Sequence, residues 1–212
     1  MTLRGLFVCE GTSDRPLADH LGGMLRQRGH DVDIATPDFD RIADRVGATV
    51  VAKLRAAAEY GGAYDLVIVH RDADGEGVEA RRTEITDAAA QVFPVAPVVA
   101  VVPVRMTEAW LLLDGNAIRL VAGNPNGRRD LGLPTVRQVE RLADPKQRLR
   151  ETLVMASDSS GRRLDTFKRR FNEHRRLLLE RVDLCGPPAA LTAVQDLVRE
   201  VDRAADRLAR LG

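Results

Sequence analysis

Long apolar runs are missing from this chain. No stretch approaches the roughly 20 residues that span a bilayer, and the run at residues 6–9 before Glu10 is too brief for the core of an export signal. A cytoplasmic protein is expected. Cysteine is scarce: Cys9 and Cys185 stand alone, outside any C-x-x-C pair, which excludes a disulfide framework and a cysteine-built zinc site. Lysine is nearly as scarce, confined to positions 53, 146 and 168, so arginine carries most of the positive charge. Neither sign of charge dominates, since 32 basic residues against 31 acidic ones give +1. A uniformly basic coat for nucleic acid is thereby excluded, whereas a local patch is not. There is no G-x-x-x-x-G-K-[ST] loop, so any ATP-driven step would need a separate ATPase partner chain. Internal repeats and low-complexity tracts are also absent.

What is present is a chain of 212 residues with 44% hydrophobic and 30% charged residues, enough to bury one main core under a well-solvated surface. Residues 3–9 read as a buried strand. The turn Glu10-Gly11-Thr12-Ser13-Asp14 follows, and Leu17, Leu21, Met24 and Leu25 then mark a helix. Alternation of Val32 and Ile34 with polar neighbours predicts a half-exposed strand at 30–36, and Ile42, Val46, Val50 and Leu54 predict a second helix. The β-branched run at 65–70 predicts a fully buried strand, followed by a helix over 78–92 and a strand over 98–104. Strands alternating with helices through short connections call for right-handed crossovers and a mainly parallel four-stranded sheet, Rossmann-like in layout.

After Glu108-Ala109-Trp110-Leu111-Leu112-Leu113-Asp114 the composition changes, and Gly123-Asn124-Pro125-Asn126-Gly127 through Leu133-Pro134 reads as an exposed loop. The division expected is an α/β domain at 1–116 and a mainly helical extension at 117–212. In the extension, Leu164, Phe167, Phe171, Leu178 and Val182 define one apolar stripe, and Leu191, Val194, Val198, Val201, Ala205 and Leu208 another. Gly186-Pro187-Pro188 breaks the chain between them, so a terminal helical hairpin is expected.

Ligands of open parallel sheets bind beyond the carboxyl ends of the strands, and that is where Glu10, Asp72 and Asp74 should emerge. The pair Asp72-x-Asp74 can offer oxygens to one hard cation, with Glu10 from a neighbouring strand completing the pocket; Mg²⁺ or Mn²⁺ suits such donors. Clustered carboxylates without a cation repel one another, so the arrangement is favourable only when neutralised. Taken alone, D-x-D is also an ordinary sequence for solvated turns and helix caps.

The order of these motifs resembles the Toprim family, the catalytic domain of topoisomerases, primases and nucleases of overcoming-lysogenization-defect type. That family carries a Glu after its first strand, commonly as E-G-x-x-D, here Glu10 to Asp14, and D-x-D after a later strand, here Asp72-Ala73-Asp74. Where some members extend the second motif to D-x-D-x-D, this chain has Glu76. Together with the later Arg105-Met106-Thr107-Glu108-Ala109-Trp110, the pattern is most similar to the bacterial Toprim-like group termed domain of unknown function 4276, over about residues 3–114. The resemblance implies Mg²⁺-dependent phosphodiester chemistry, with Glu10 as general acid/base or metal ligand and Asp72 and Asp74 holding metal. A nuclease acting on nucleic acid is the leading expectation.

Around that edge, Glu76 and Glu108 are further candidate metal ligands, Glu108 equally suiting the first turn of a helix. Arg71 and Arg105 could hold phosphate or pair with the acids. Lys168 and Arg169 belong to a stretch, residues 161–181, with eight basic side chains against three acids, a candidate nucleic-acid surface or a merely solvated face. Cys9 reads as strand filling, His70 as a strand-end histidine and Trp110 as core. Two other readings stand beside the nuclease. One is a non-catalytic metal- or nucleic-acid-binding subunit, regulatory or part of a defence system. The other is a D-x-D phosphatase, disfavoured because Cys9-Glu10 occupies the end of the first strand, where the nucleophilic Asp should stand.

Overall fold

A computed structural model describes residues 2–42, 46–73, 75–104 and 106–211. The chain divides into two compact units, Met1–Pro103 with Gln195–Gly212, and Val104–Val194. The boundary expected at 116 falls within the second unit, whose residues 108–112 are already packed among helices.

The first unit is built on a four-stranded, all-parallel sheet in the order β2-β1-β3-β4, from β1 (Leu3–Val8), β2 (Val32–Ala35), β3 (Leu66–His70) and β4 (Val98–Val101). The two central strands carry the most continuous burial, as expected where helices cover both faces. Every residue of β3 is buried, whereas the edge strand β2 alternates between buried and exposed positions. Val8 pairs with Val69, so the chains leaving β1 and β3 emerge side by side. β4 stops at Val101, two residues before Pro103, which has no N–H to offer a ladder. The strand expected to reach 104 is shorter for that reason.

Helix α1 (Leu17–Gln27) follows β1 after a single 3-10 turn at Thr12–Asp14. The helix expected through 42, 46, 50 and 54 is instead two, α2 (Phe39–Ile42) and α3 (Val50–Gly61). The second begins where the Thr49 side chain accepts from the Ala52 N–H at 3.3 Å, an N-cap that fixes its first turn. α4 (Val78–Val92) has the bounds the sequence predicts. It starts at Gly77, whose φ of +88° is open to glycine and strained for other residues. Leu6, Val67, Val69, Leu54, Ile85 and Ala89 are at the centre of the core under α3 and α4.

The second unit is helical: α5 (Glu108–Leu111), α6 (Gly115–Val121), α7 (Val136–Val139), α8 (Pro145–Ser157), α9 (Gly161–Arg169) and α10 (Phe171–Arg181). Residues 123–134 carry no helix or strand, as their loop-like sequence predicts. Short helices begin on strong local signals. Asp114 caps α6, Thr135 and Gln138 form a capping box on α7, and Asp144 caps α8 ahead of Pro145. The apolar stripe from Leu164 to Val182 is cut at Arg170, where φ −92° and ψ 19° leave the helical ladder and Phe171 opens a new helix.

The last helix, α11 (Thr192–Leu211), lies from Gln195 onward in the sheet-bearing unit, whereas α10 belongs to the helical one. Leu197, Val201, Ala204, Ala205 and Leu208 form its buried stripe at helical spacing. Arg28 meets Asp202 at 2.5 Å, and Arg82 of α4 meets Asp196 at 2.9 Å and Glu200 at 3.2 Å. No described helix is long and apolar enough to cross a membrane.

Candidate functional site at the carboxyl edge of the sheet

Parallel pairing of β1 with β3 sets the level at which Glu10 and Arg71 leave the sheet, two residues beyond Val8 and Val69. Arg71 Nε lies 2.8 Å from Glu10 Oε1, a close charge contact in which the N–H is not aimed along a hydrogen bond. The other arm of the same guanidinium lies 3.7 Å from Glu84 Oε1, and Glu84 also accepts from Arg81 at 2.9 Å. Arg71 is thus largely buried between two carboxylates, while Glu10 keeps 41% of its side chain open to solvent. One residue on, Asp72 lies 3.7 Å from Nε2 of the fully buried His70. His70 therefore adjoins the acidic edge from within the sheet.

Glu76 is exposed in the turn that follows, its N–H donating to the Ala73 carbonyl at 3.2 Å. Asp74 and Arg105 lie outside the described residues. Among the described residues no group of three or more His, Cys, Asp or Glu side chains is arranged to hold a metal ion. Glu10 and Asp72 suit a hard cation in donor type and in leaving adjacent strands, but Arg71 supplies the positive charge beside Glu10.

On the other flank of Glu10, Lys53 of α3 donates from Nζ to the carbonyls of Cys9 at 2.7 Å and Glu10 at 3.1 Å, tying the strand end to the helix. Arg15 donates to the Pro37 carbonyl at 3.2 Å and sits 3.6 Å from Asp38. These groups line a cavity of about 220 Å³ beyond the ends of β1 and β2, with Glu10 and Asp38 as its acids and Arg15 and Lys53 as its bases. The Cys9 thiol, at its wall, donates to the Gly11 carbonyl at 3.0 Å. Burial, reinforced by the buried Asp14 carboxylate, pushes this thiol up to about 12, so at neutral pH it is protonated and a poor nucleophile.

In the helical unit, Glu108 stands in the first turn of α5 but is buried, accepting from Arg175 Nε at 2.8 Å; both side chains are more than nine-tenths sealed. Its carboxylate is thus neutralised by a guanidinium. Trp110 is 1% exposed and belongs to that unit's core. Lys168 and Arg169 project from α9 into solvent, Arg169 reaching Thr166 Oγ1 at 3.5 Å.

Lys53 and Glu84 were not legible as site residues, because each joins the edge from the middle of a helix far along the chain. The rarity of lysine was the available signal for Lys53: in a chain that otherwise uses arginine, a compact ammonium fits two converging carbonyls better than a planar fork. Comparison of the chain with family models, curated proteins and solved structures finds no match.

Proposed function

We propose that the carboxyl edge of the sheet carries out Mg²⁺-dependent phosphodiester chemistry as a Toprim-like nuclease. The observation that supports it is the delivery of Glu10 and Asp72 by adjacent parallel strands to one edge, with a guanidinium already seated against Glu10. Asp72, with Asp74 and Glu76 from the same segment, would hold Mg²⁺ or Mn²⁺. The ion, when bound, supplies neutralisation of phosphate charge. Glu10, partly open to solvent, either completes that ligand set or takes or gives the proton of the reacting oxygen. Arg71 exchanges Glu10 for a phosphate oxygen, an anion its planar donors match equally well. Lys53 fixes the backbone from which Glu10 projects, so the carboxylate is presented from a held strand end.

Magnesium-dependent cleavage of DNA and RNA by the full chain is the test. Glu10→Gln and Asp72→Asn should each lower the rate by 10²-fold or more at unchanged stability, the range of a removed acid–base group. Cleavage that survives both substitutions overturns the assignment. The Arg71–Glu10 contact favours one second reading, a non-catalytic binding subunit that keeps a metal site, since it engages the carboxylate that would otherwise act on the reacting oxygen. Mg²⁺ binding by calorimetry, with no turnover of any phosphodiester, would be its signature.

A further inference from the structure

A second hollow, of about 400 Å³, lies wholly within the helical unit, where the turn joining α8 to α9 meets α10. Its lining includes Arg162, Arg163 and Arg170 and no carboxylate. Arg170 is paired with Glu173 at 2.7 Å, but Arg162 and Arg163 have no acidic partner among the described residues. Three guanidinium groups around one concavity repel one another, and an anion seated there would relieve the repulsion. The hydroxyl residues Ser157, Ser159 and Thr166 line the same space and add groups able to donate to such an anion.

The backbone adds donors of its own. The turn into α9 contains two residues with left-handed backbone, Asp158 at φ +48° and Gly161 at φ +54°. Ser160 stands at the N-cap without making a side-chain cap, so the first-turn N–H groups beside Arg162 and Arg163 are left without a capping oxygen. An independent observation concerns the cavity floor. His174 is 7% exposed, stacks on Phe167 with ring centroids 4.1 Å apart, and has a sealed Nδ1 with no hydrogen-bond partner. The ring lines the hollow, so a polar group entering it meets an imidazole held in place by stacking. Burial, aided by Arg170, also lowers the imidazole's pKa, so the ring is neutral at pH 7 and more readily protonated beside an anion.

We infer that this hollow binds a phosphomonoester dianion on a nucleotide-sized ligand, held by Arg162 and Arg163 at the start of α9 and Arg170 at its end, beside His174. Two charges and three acceptor oxygens match several convergent guanidinium and N–H donors better than a phosphodiester, which has one charge and two free oxygens. The volume exceeds what inorganic phosphate fills, leaving room for a sugar. Such a group could come from a free nucleoside monophosphate or from the 5′ end of a strand. The site shares no residue with the sheet edge and needs no divalent ion.

The test uses the full chain in EDTA, so that metal-dependent chemistry plays no part. Titrations with a nucleoside 5′-monophosphate, a 5′-phosphorylated oligonucleotide and the same oligonucleotide with a 5′-hydroxyl separate the sources. The 5′-phosphorylated strand, the monophosphate, or both should bind at least tenfold more tightly than the 5′-hydroxyl strand. Arg162→Gln with Arg163→Gln should abolish that preference, and both positions are exposed, so folding should be spared. The His174 imidazole should shift in NMR spectra on addition of the preferred ligand. Equal binding of phosphorylated and unphosphorylated strands with no binding of the monophosphate overturns the inference, as does a preference untouched by the double substitution.

Discussion

Arg175 and Glu108 are each more than nine-tenths sealed from solvent, and neither charge is stable there alone. Glu108→Ala leaves a buried guanidinium without its carboxylate, and urea unfolding should show a loss of about 3–5 kcal/mol. Were Glu108 instead a solvated acid of the α5 first turn, the loss would stay below about 1 kcal/mol. Cys9 gives a second residue-level outcome. Its thiol is held neutral in the fold, with a pKa of about 12 against an ordinary 9.0, so the unfolded chain ionises first as pH rises. The contribution is fully present below about pH 9 and is lost progressively toward 12. A thiol reagent at pH 8 should therefore modify the exposed Cys185 rapidly and reach Cys9 only on unfolding. Two fast thiols in the native protein would contradict this.

At the scale of elements, α3 links core and site: it buries Val50, Leu54 and Ala57 on one face and sends Lys53 to the end of β1. Its start rests on the Thr49 cap. Thr49→Ala should cost about 1 kcal/mol by chemical unfolding, with fraying of the first turn that loosens Lys53. A change below about 0.5 kcal/mol, the range of a neutral surface substitution, would mean the cap does not hold this turn.

Legibility from sequence followed the same division between local and distant causes. β1, α1, β3 and α4 were readable because their apolar period and turn residues agree within one short window. The start of α3 was not, since Ile42 and Val46 keep its apolar spacing although Val46 and Gly47 lie outside any helix. The cut at Arg170 was missed for the same reason: Phe167 and Phe171 keep helical spacing across a backbone that leaves the ladder. Of the site, the strand-end positions of Glu10 and Asp72 could be foreseen because parallel register fixes them. The partner of Glu10 could not, because Arg71 reads equally well as a phosphate ligand or as the counter-charge it is here.

At the scale of the whole molecule, the first unit is made from two distant stretches, with the helical unit's sequence running between them. The apolar stripe of α11 is buried, and Arg28 and Arg82 of the same unit hold the helix with ion pairs. Deleting residues 195–212 should expose the apolar surface that this stripe covers and unfold the sheet-bearing unit. Circular dichroism should show loss of its cooperative transition, and the deleted protein should precipitate or bind a hydrophobic dye. A truncated chain that keeps a full-strength transition would show that α11 is dispensable.

This arrangement also orders events during synthesis. Residues 1–103 leave the ribosome with the sheet and α1, α3 and α4 but without α11, and the helical unit, continuous in sequence, is made whole before that helix is. The surface around Arg28 and Arg82 stays without its acidic partners until that helix is made.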